Sequence, residues 1–117
     1  MEECRPASLL RAHMGETDDL EWEDSKDAIN RQKHGLPLAF SAFLFDGRPR
    51  LERHSPKSAG NEPRIEAIAE IGGRVLFCVY VWRGARRRII SLRRAHRSER
   101  RAYEEAVGRS GADREDD

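Results

Sequence analysis

The sequence predicts an α+β domain in which two N-terminal helices precede an antiparallel sheet of three to four strands and a C-terminal helix. Three observations carry that expectation. Helical apolar spacing with clear stop signals occupies residues 24–45, alternation with a period of two begins at Arg64, and helical spacing returns after Ser98. The 117 residues suffice to bury one core without cross-links, and 38% hydrophobic against 37% charged residues describes a lean core inside a charged surface.

Each element has its own signal. Residues 1–19 are acidic, small and without periodicity, so they read as a flexible leader, with Met14 a second possible start. The domain proper is expected over 20–107, with 108–117 an acidic disordered tail. Leu20-Glu21-Trp22 is a short extended entry. Asp24 or Ser25 suits the cap of a helix over DSKDAINRQKH, which Gly35 stops after Lys33 and His34. Leu36-Pro37 restarts a second helix, LAFSAFLF, with Leu36, Phe40, Phe43 and Leu44 on one face, and the two make a helical hairpin.

Turn formers fill residues 46–63, leaving at most a short strand around residues 50–53. In RIEAIAEI, Ile65, Ala67, Ala69 and Ile71 share one face and Arg64, Glu66, Ile68 and Glu70 the other. Gly72-Gly73 signals a hairpin, and RVLFCVYVW, apolar on both faces, marks a central strand. Arg83-Gly84 turns the chain into RRRIISL, with Arg86, Arg88 and Ile90 on one side and Arg87, Ile89 and Ser91 on the other. Ser98 caps the last helix, ERRAYEEAV, whose Ala102, Tyr103, Ala106 and Val107 pack inward.

Two cysteines, Cys4 and Cys78, give no disulfide framework, and the second sits in an apolar run suited to a buried thiol. That run, VLFCVYVW, is too short to span a bilayer, so a reducing, cytoplasmic protein without membrane contact is expected. The formal net charge of +1 conceals segregation. Residues 1–27 carry nine acids and three bases, residues 28–103 six acids and seventeen bases, and residues 104–117 six acids and two bases. A basic centre between acidic ends is the footprint of a polyanion binder. Fifteen of those seventeen central bases are arginine, whose planar fork matches phosphate, whereas lysine serves solubility equally well.

Trp22 with Lys26, Asn30, Lys33-His34-Gly35, Arg64, Gly73-Arg74, Val79-Tyr80 and the closing RIISLRRAHRSERRAYEE resemble the BrnT family of type II toxins over about residues 20 to 105. The resemblance implies a RelE-like fold and a ribonuclease toxin that inhibits translation and growth. It also implies neutralisation by a BrnA-like antitoxin, with operator DNA reached only through that antitoxin. The chain departs from the family's pattern at Glu23, Pro37, Arg87 and Leu92, and its loop between His54 and Arg64 is longer.

RNA cleavage needs no cofactor, because the 2′-hydroxyl can attack the adjacent phosphorus; a protein need only take that proton, stabilise the phosphorane and protonate the leaving oxygen. A catalytic metal is not expected, since His13, His34, His54 and His96 show no ligand spacing with one another or with the cysteines. Arg88 and Arg86, alternate on one strand, and Arg64, opening another, are the candidate charge stabilisers. His34 beside Lys33 is a candidate proton carrier, or else a favourable charge at a helix end. Tyr103 either donates its hydroxyl or packs in the core. Lys26, seven residues before Lys33 on nearly the same helical face, joins Arg86, Arg93, Arg94 and Arg97 as expected RNA contacts, unless Arg93 instead braces Glu99. The competing readings are a non-catalytic nucleic-acid binder and a protein-interaction module of the same fold.

Overall fold

The computed structural model describes residues 14–57 and 62–108; the expected leader up to residue 13, with Cys4 and His13, and the tail from residue 109 lie outside the described residues. Strands β1 (Met14–Glu16) and β2 (Leu20–Glu23) lead into helix α1 (Asp24–His34) and a 3-10 helix (Leu38–Phe45). Strands β3 (Leu51–His54), β4 (Ile65–Ile71), β5 (Arg74–Arg83) and β6 (Arg86–Arg94) follow, then helix α2 (Arg97–Tyr103), which ends in a π turn (Glu104–Gly108).

The α+β class holds, but the sheet is larger than the alternation pattern indicates. Among the described residues six strands lie in the order β1-β2-β6-β5-β4-β3. Strands β3 to β6 form the antiparallel meander, while β2 adds parallel to β6 and β1 antiparallel to β2. The physical reason is the exposed edge of β6, whose backbone groups need partners, together with Leu20, which is 1% exposed once β2 docks there. Residues 14–16, read as part of the leader, are thus an edge strand. Gly15 of β1 lies against the Trp22 indole, where a Cβ would collide with the ring.

One face of the sheet is covered and the other partly so, which is why β5 is apolar on both sides. On the first face α1 and the 3-10 helix enclose Leu20, Leu38, Leu44, Leu76, Cys78, Tyr80, Ile89 and Leu92. Full burial of Leu38 and Leu44 contributes roughly 1.5–3 kcal/mol each. On the second face the short α2 brings Tyr103 onto Ile68 and Phe77, with Val75, Val79 and Val107 at the margin. Because α2 spans only seven residues, part of this face stays open.

Local chemistry explains where the helices depart from expectation. The second helix is 3-10 rather than α, so Leu38, Ser41 and Leu44, three apart, are buried, while Phe43 is 47% exposed. Helix α1 starts one residue earlier than an Asp24 cap would place it and two earlier than a Ser25 cap, after Glu23, with Asp24 and Asp27 in its first turn complementing the helix dipole. Asp27 Oδ1 accepts the Leu38 N–H at 2.7 Å, tying the two helices together. Gly35 ends α1 in the left-handed region at φ 73°, its N–H on the Arg31 carbonyl. Helix α2 begins after His96, not Ser98, because Glu99 accepts the His96 N–H at 2.7 Å.

One irregularity matters most for function. In β6 the register passes from Tyr80↔Ile89 to Val79↔Ser91, so Ile90 is an extra residue in a bulge. The slip lets Ile89 and Leu92 both enter the first core, and it moves Ser91 and Arg93 to the side of Arg86 and Arg88. Strict alternation places Ser91 with Arg87; the bulge corrects that assignment. Buried Asn30 of α1 clamps the strand just beyond, donating to the Leu92 carbonyl at 2.7 Å and accepting the Leu92 N–H at 3.1 Å.

Candidate functional site

The open part of the second face is a groove of about 540 Å³. Its floor comes from alternate residues of four strands, since side chains two apart on a strand point the same way. Arg53 of β3, Glu66 of β4, Phe77 and Val79 of β5, and Ser91 and Arg93 of β6 supply it. Lys57 and Arg64, from the connection between β3 and β4, form one wall, and Ser98 and Glu99 of α2 the other. Four cations and two carboxylates therefore surround one concave surface.

Its electrostatics are organised by ion pairs. Arg53 Nε donates to Glu66 Oε1 at 2.7 Å, and Arg93 donates Nη1 to Glu99 Oε1 and Nη2 to Glu99 Oε2, both at 2.8 Å. The Arg93 guanidinium also lies 4.0 Å from the Phe77 ring centre. Burial pushes the Glu99 carboxyl up, but the Arg93 hydrogen bond and the His96 N–H outweigh it and hold the group below its ordinary range. Glu99 has both oxygens occupied, so it is a brace. Glu66 is 7% exposed, and its Oε2 takes no hydrogen bond among the described residues.

The predicted residues divide by position. Arg64 and Arg93 line the groove. Arg88 shares its face but pairs with Glu21 at 2.7 Å, and Arg86, at the end of the strand, pairs with Glu16 at 3.0 Å. Lys33 and His34 are exposed at the end of α1, outside the groove lining, as is Lys26. Partial burial and then the charges of Lys33 and Arg93 lower the His34 pKa, which favours the neutral imidazole. Tyr103 is 6% exposed and packs in the second core. Arg94 and Arg97 flank α2 away from the groove. The Arg93 to Glu99 brace weighed from the sequence is present.

Arg53, Lys57, Glu66 and Ser91 escape the sequence reading. Alternation in RIEAIAEI already sets Glu66 on the outward face beside Arg64, and that signal could have singled it out. On the opposite face, Arg87 lies over Phe45 at 4.1 Å, Trp82 at 4.7 Å and Tyr80 at 5.2 Å, which explains an arginine at an otherwise apolar position. Among the described residues no group of three His, Cys, Asp or Glu side chains could hold a metal ion, and no helix is long and apolar enough to cross a membrane.

A mixed sheet carrying an arginine-lined groove with a partly unengaged carboxylate defines the class: a small α+β protein with a cationic groove on one face of its sheet. The family of ribonuclease toxins called BrnT, of type II toxin-antitoxin systems, matches residues 22–99, and this chain belongs to it. No curated protein matches the chain. The family indicates a ribonuclease toxin with an antitoxin partner and an RNA target.

Proposed function

We propose that this chain is a metal-independent endoribonuclease toxin that cleaves RNA in the groove between β3, β6 and α2, in the cytoplasm, and thereby inhibits translation and growth. The observation that carries the reading is the convergence of Arg53, Lys57, Arg64 and Arg93 on a surface that also holds Glu66. A BrnA-like antitoxin neutralises it, and DNA is contacted only through that partner. The helices ahead of an antiparallel meander support the RelE-like comparison for the fold.

The proposed chemistry follows from the donor set. Lys57 and Arg64 bind the scissile phosphate, and the field of Arg53 and Arg93 favours the extra charge of the phosphorane. Arg53 engages Glu66 through Nε alone, which leaves its Nη groups to meet an oxygen. Glu66 Oε2 takes the 2′-hydroxyl proton as the 2′-oxygen attacks phosphorus; the P–O5′ bond breaks to leave a 2′,3′-cyclic phosphate, and the departing 5′-oxygen takes its proton from water. His34, biased toward its neutral form, and Lys33 serve the flanking nucleotides, with Lys26 further along the same helix. Arg88 and Arg86 act at one remove by shaping the potential. Tyr103 supports the wall that carries Ser98 and Glu99.

The test is incubation of the purified toxin, free of antitoxin, with total RNA in EDTA beside Glu66→Gln and Arg64→Ala. Cleavage by the parent, slowed about 10²-fold or more in each variant, is expected. Intact RNA with binding retained would turn the groove into a non-catalytic binding site.

A further inference from the structure

We infer that the five arginines Arg74, Arg94, Arg97, Arg100 and Arg101 form a second RNA-binding surface, separate from the groove, that holds the strand flanking the cleavage site by its phosphates. The inference rests on the RNA-cleaving reading and adds a site to it.

The arginines of this protein are not used alike. Among the described residues Arg31, Arg48, Arg50, Arg53, Arg83, Arg86, Arg88 and Arg93 are in ion pairs. Arg87 is stacked among three aromatic rings. Arg74, Arg94, Arg97, Arg100 and Arg101 are all exposed and have no ion pair among the described residues. They are also neighbours. Arg74, Arg94 and Arg100 line one concavity of about 290 Å³ between the β4–β5 turn and α2, and Arg97, Arg100 and Arg101 line another of about 210 Å³ that shares Arg100 with it. Glu70 and Glu104 are the only acids in these linings.

Such a cluster works against the fold. Arg97 repels Arg100 and Arg101 across one helical turn. An anion bound from outside relieves that repulsion. Placement says which anion. Arg93 lines the groove, and the next residue, Arg94, lines the first concavity, so β6 passes directly from one surface to the other. Helix α2 lies between them, with Ser98 and Glu99 on the groove side and Arg97, Arg100 and Arg101 on the other. A strand leaving the groove past α2 meets these arginines next. No aromatic ring lines either concavity, so this surface reads backbone phosphate and not base sequence.

The test compares the parent with Arg74→Gln/Arg100→Gln/Arg101→Gln in binding to 2′-O-methyl RNA, which cannot be cleaved, at two lengths and several salt concentrations. An oligomer of about two nucleotides stays within the groove, and one of about twenty also reaches the second surface. The triple variant is expected to bind the long oligomer about tenfold or more weakly, with its salt slope reduced by about 2, and to bind the short one like the parent. Circular dichroism melting verifies that the variant is folded; should it not be, Arg100→Gln alone is scored by the same length difference. Equal weakening at both lengths would reduce the effect to bulk charge and overturn the inference. Unchanged binding at both lengths would also overturn it. A parent that binds neither oligomer would overturn the RNA reading itself, and this inference with it.

Discussion

Arg93 and Glu99 face each other as a two-pronged pair, with both N–H···O distances 2.8 Å and with Glu99 also accepting the His96 N–H. One carboxylate thus caps α2, joins it to β6 and braces the groove. Its folded pKa lies below the ordinary 4.5, so the stabilisation is fully present above that value and is lost as pH falls through the folded pKa. Acid unfolding of the parent should therefore steepen below about 4.5. Glu99→Gln, which cannot carry the charge, should flatten that limb and cost about 1–3 kcal/mol at neutral pH. Thermal melts across pH measure both.

Asn30 makes three hydrogen bonds from a nearly buried position, to the Leu36 carbonyl at 2.8 Å and to both backbone groups of Leu92. Replacing its amide by a carboxylate removes two donors and sets a charge against two carbonyls. Asn30→Asp is expected to cost about 2–4 kcal/mol at neutral pH and less in acid, where the carboxyl is protonated. Urea unfolding at two pH values provides the comparison; a cost independent of pH would argue against the account.

Cys78 is fully buried beside the Ser41 hydroxyl, with Sγ 3.8 Å from Oγ, and burial pushes its thiol up to about 12. A thiol so disfavoured as thiolate is a poor nucleophile. Iodoacetamide should leave the Cys78 peptide unmodified in the native protein and label it after denaturation, as read by mass spectrometry. Rapid native labelling would contradict the packing of the first core.

Lys57 and Arg88 separate binding from stability. Lys57, in the turn-rich connection to which the sequence assigns no role, lines the groove, whereas Arg88, a candidate charge stabiliser from the sequence, is paired with a Glu21 side chain only 13% exposed. Lys57→Ala should weaken RNA binding and lower its salt slope by about 1 while leaving the melting temperature unchanged. Arg88→Ala should lower stability by about 1–3 kcal/mol, because it leaves the Glu21 carboxylate largely buried without its partner. Binding and melting measured together distinguish the two; a larger binding loss in the Arg88 variant would restore it as a direct ligand.

Several elements were legible because their signals are local. Gly35 stops α1, and Gly72 and Gly73, at φ 61° and 83°, make the hairpin turn that positive φ requires. The alternation of RIEAIAEI matches β4 almost to the residue, and Cys78 is buried as its apolar surroundings indicate. Leu20-Glu21-Trp22 reads as an extended entry and is one, but so short a pattern does not announce that it joins the sheet, which it does because β6 offers it an edge. The 3-10 geometry of LAFSAFLF was hidden for a similar reason: the choice between spacings of three and four is made by the sheet beneath it.

The sequence by itself determined the α+β class, the basic centre and the family resemblance, since these depend on periodicity, composition and motif, all of which are local to the chain. Tertiary structure alone decided what each arginine does. Arg88 and Glu21 stand 67 residues apart, and the bulge at Ile90 that turns Arg93 toward Glu99 arises in the pairing of β5 with β6. A guanidinium has the same charge wherever it stands, and only the distance to a carboxylate, a ring or open solvent makes it a brace, a stacked core residue or a site for phosphate.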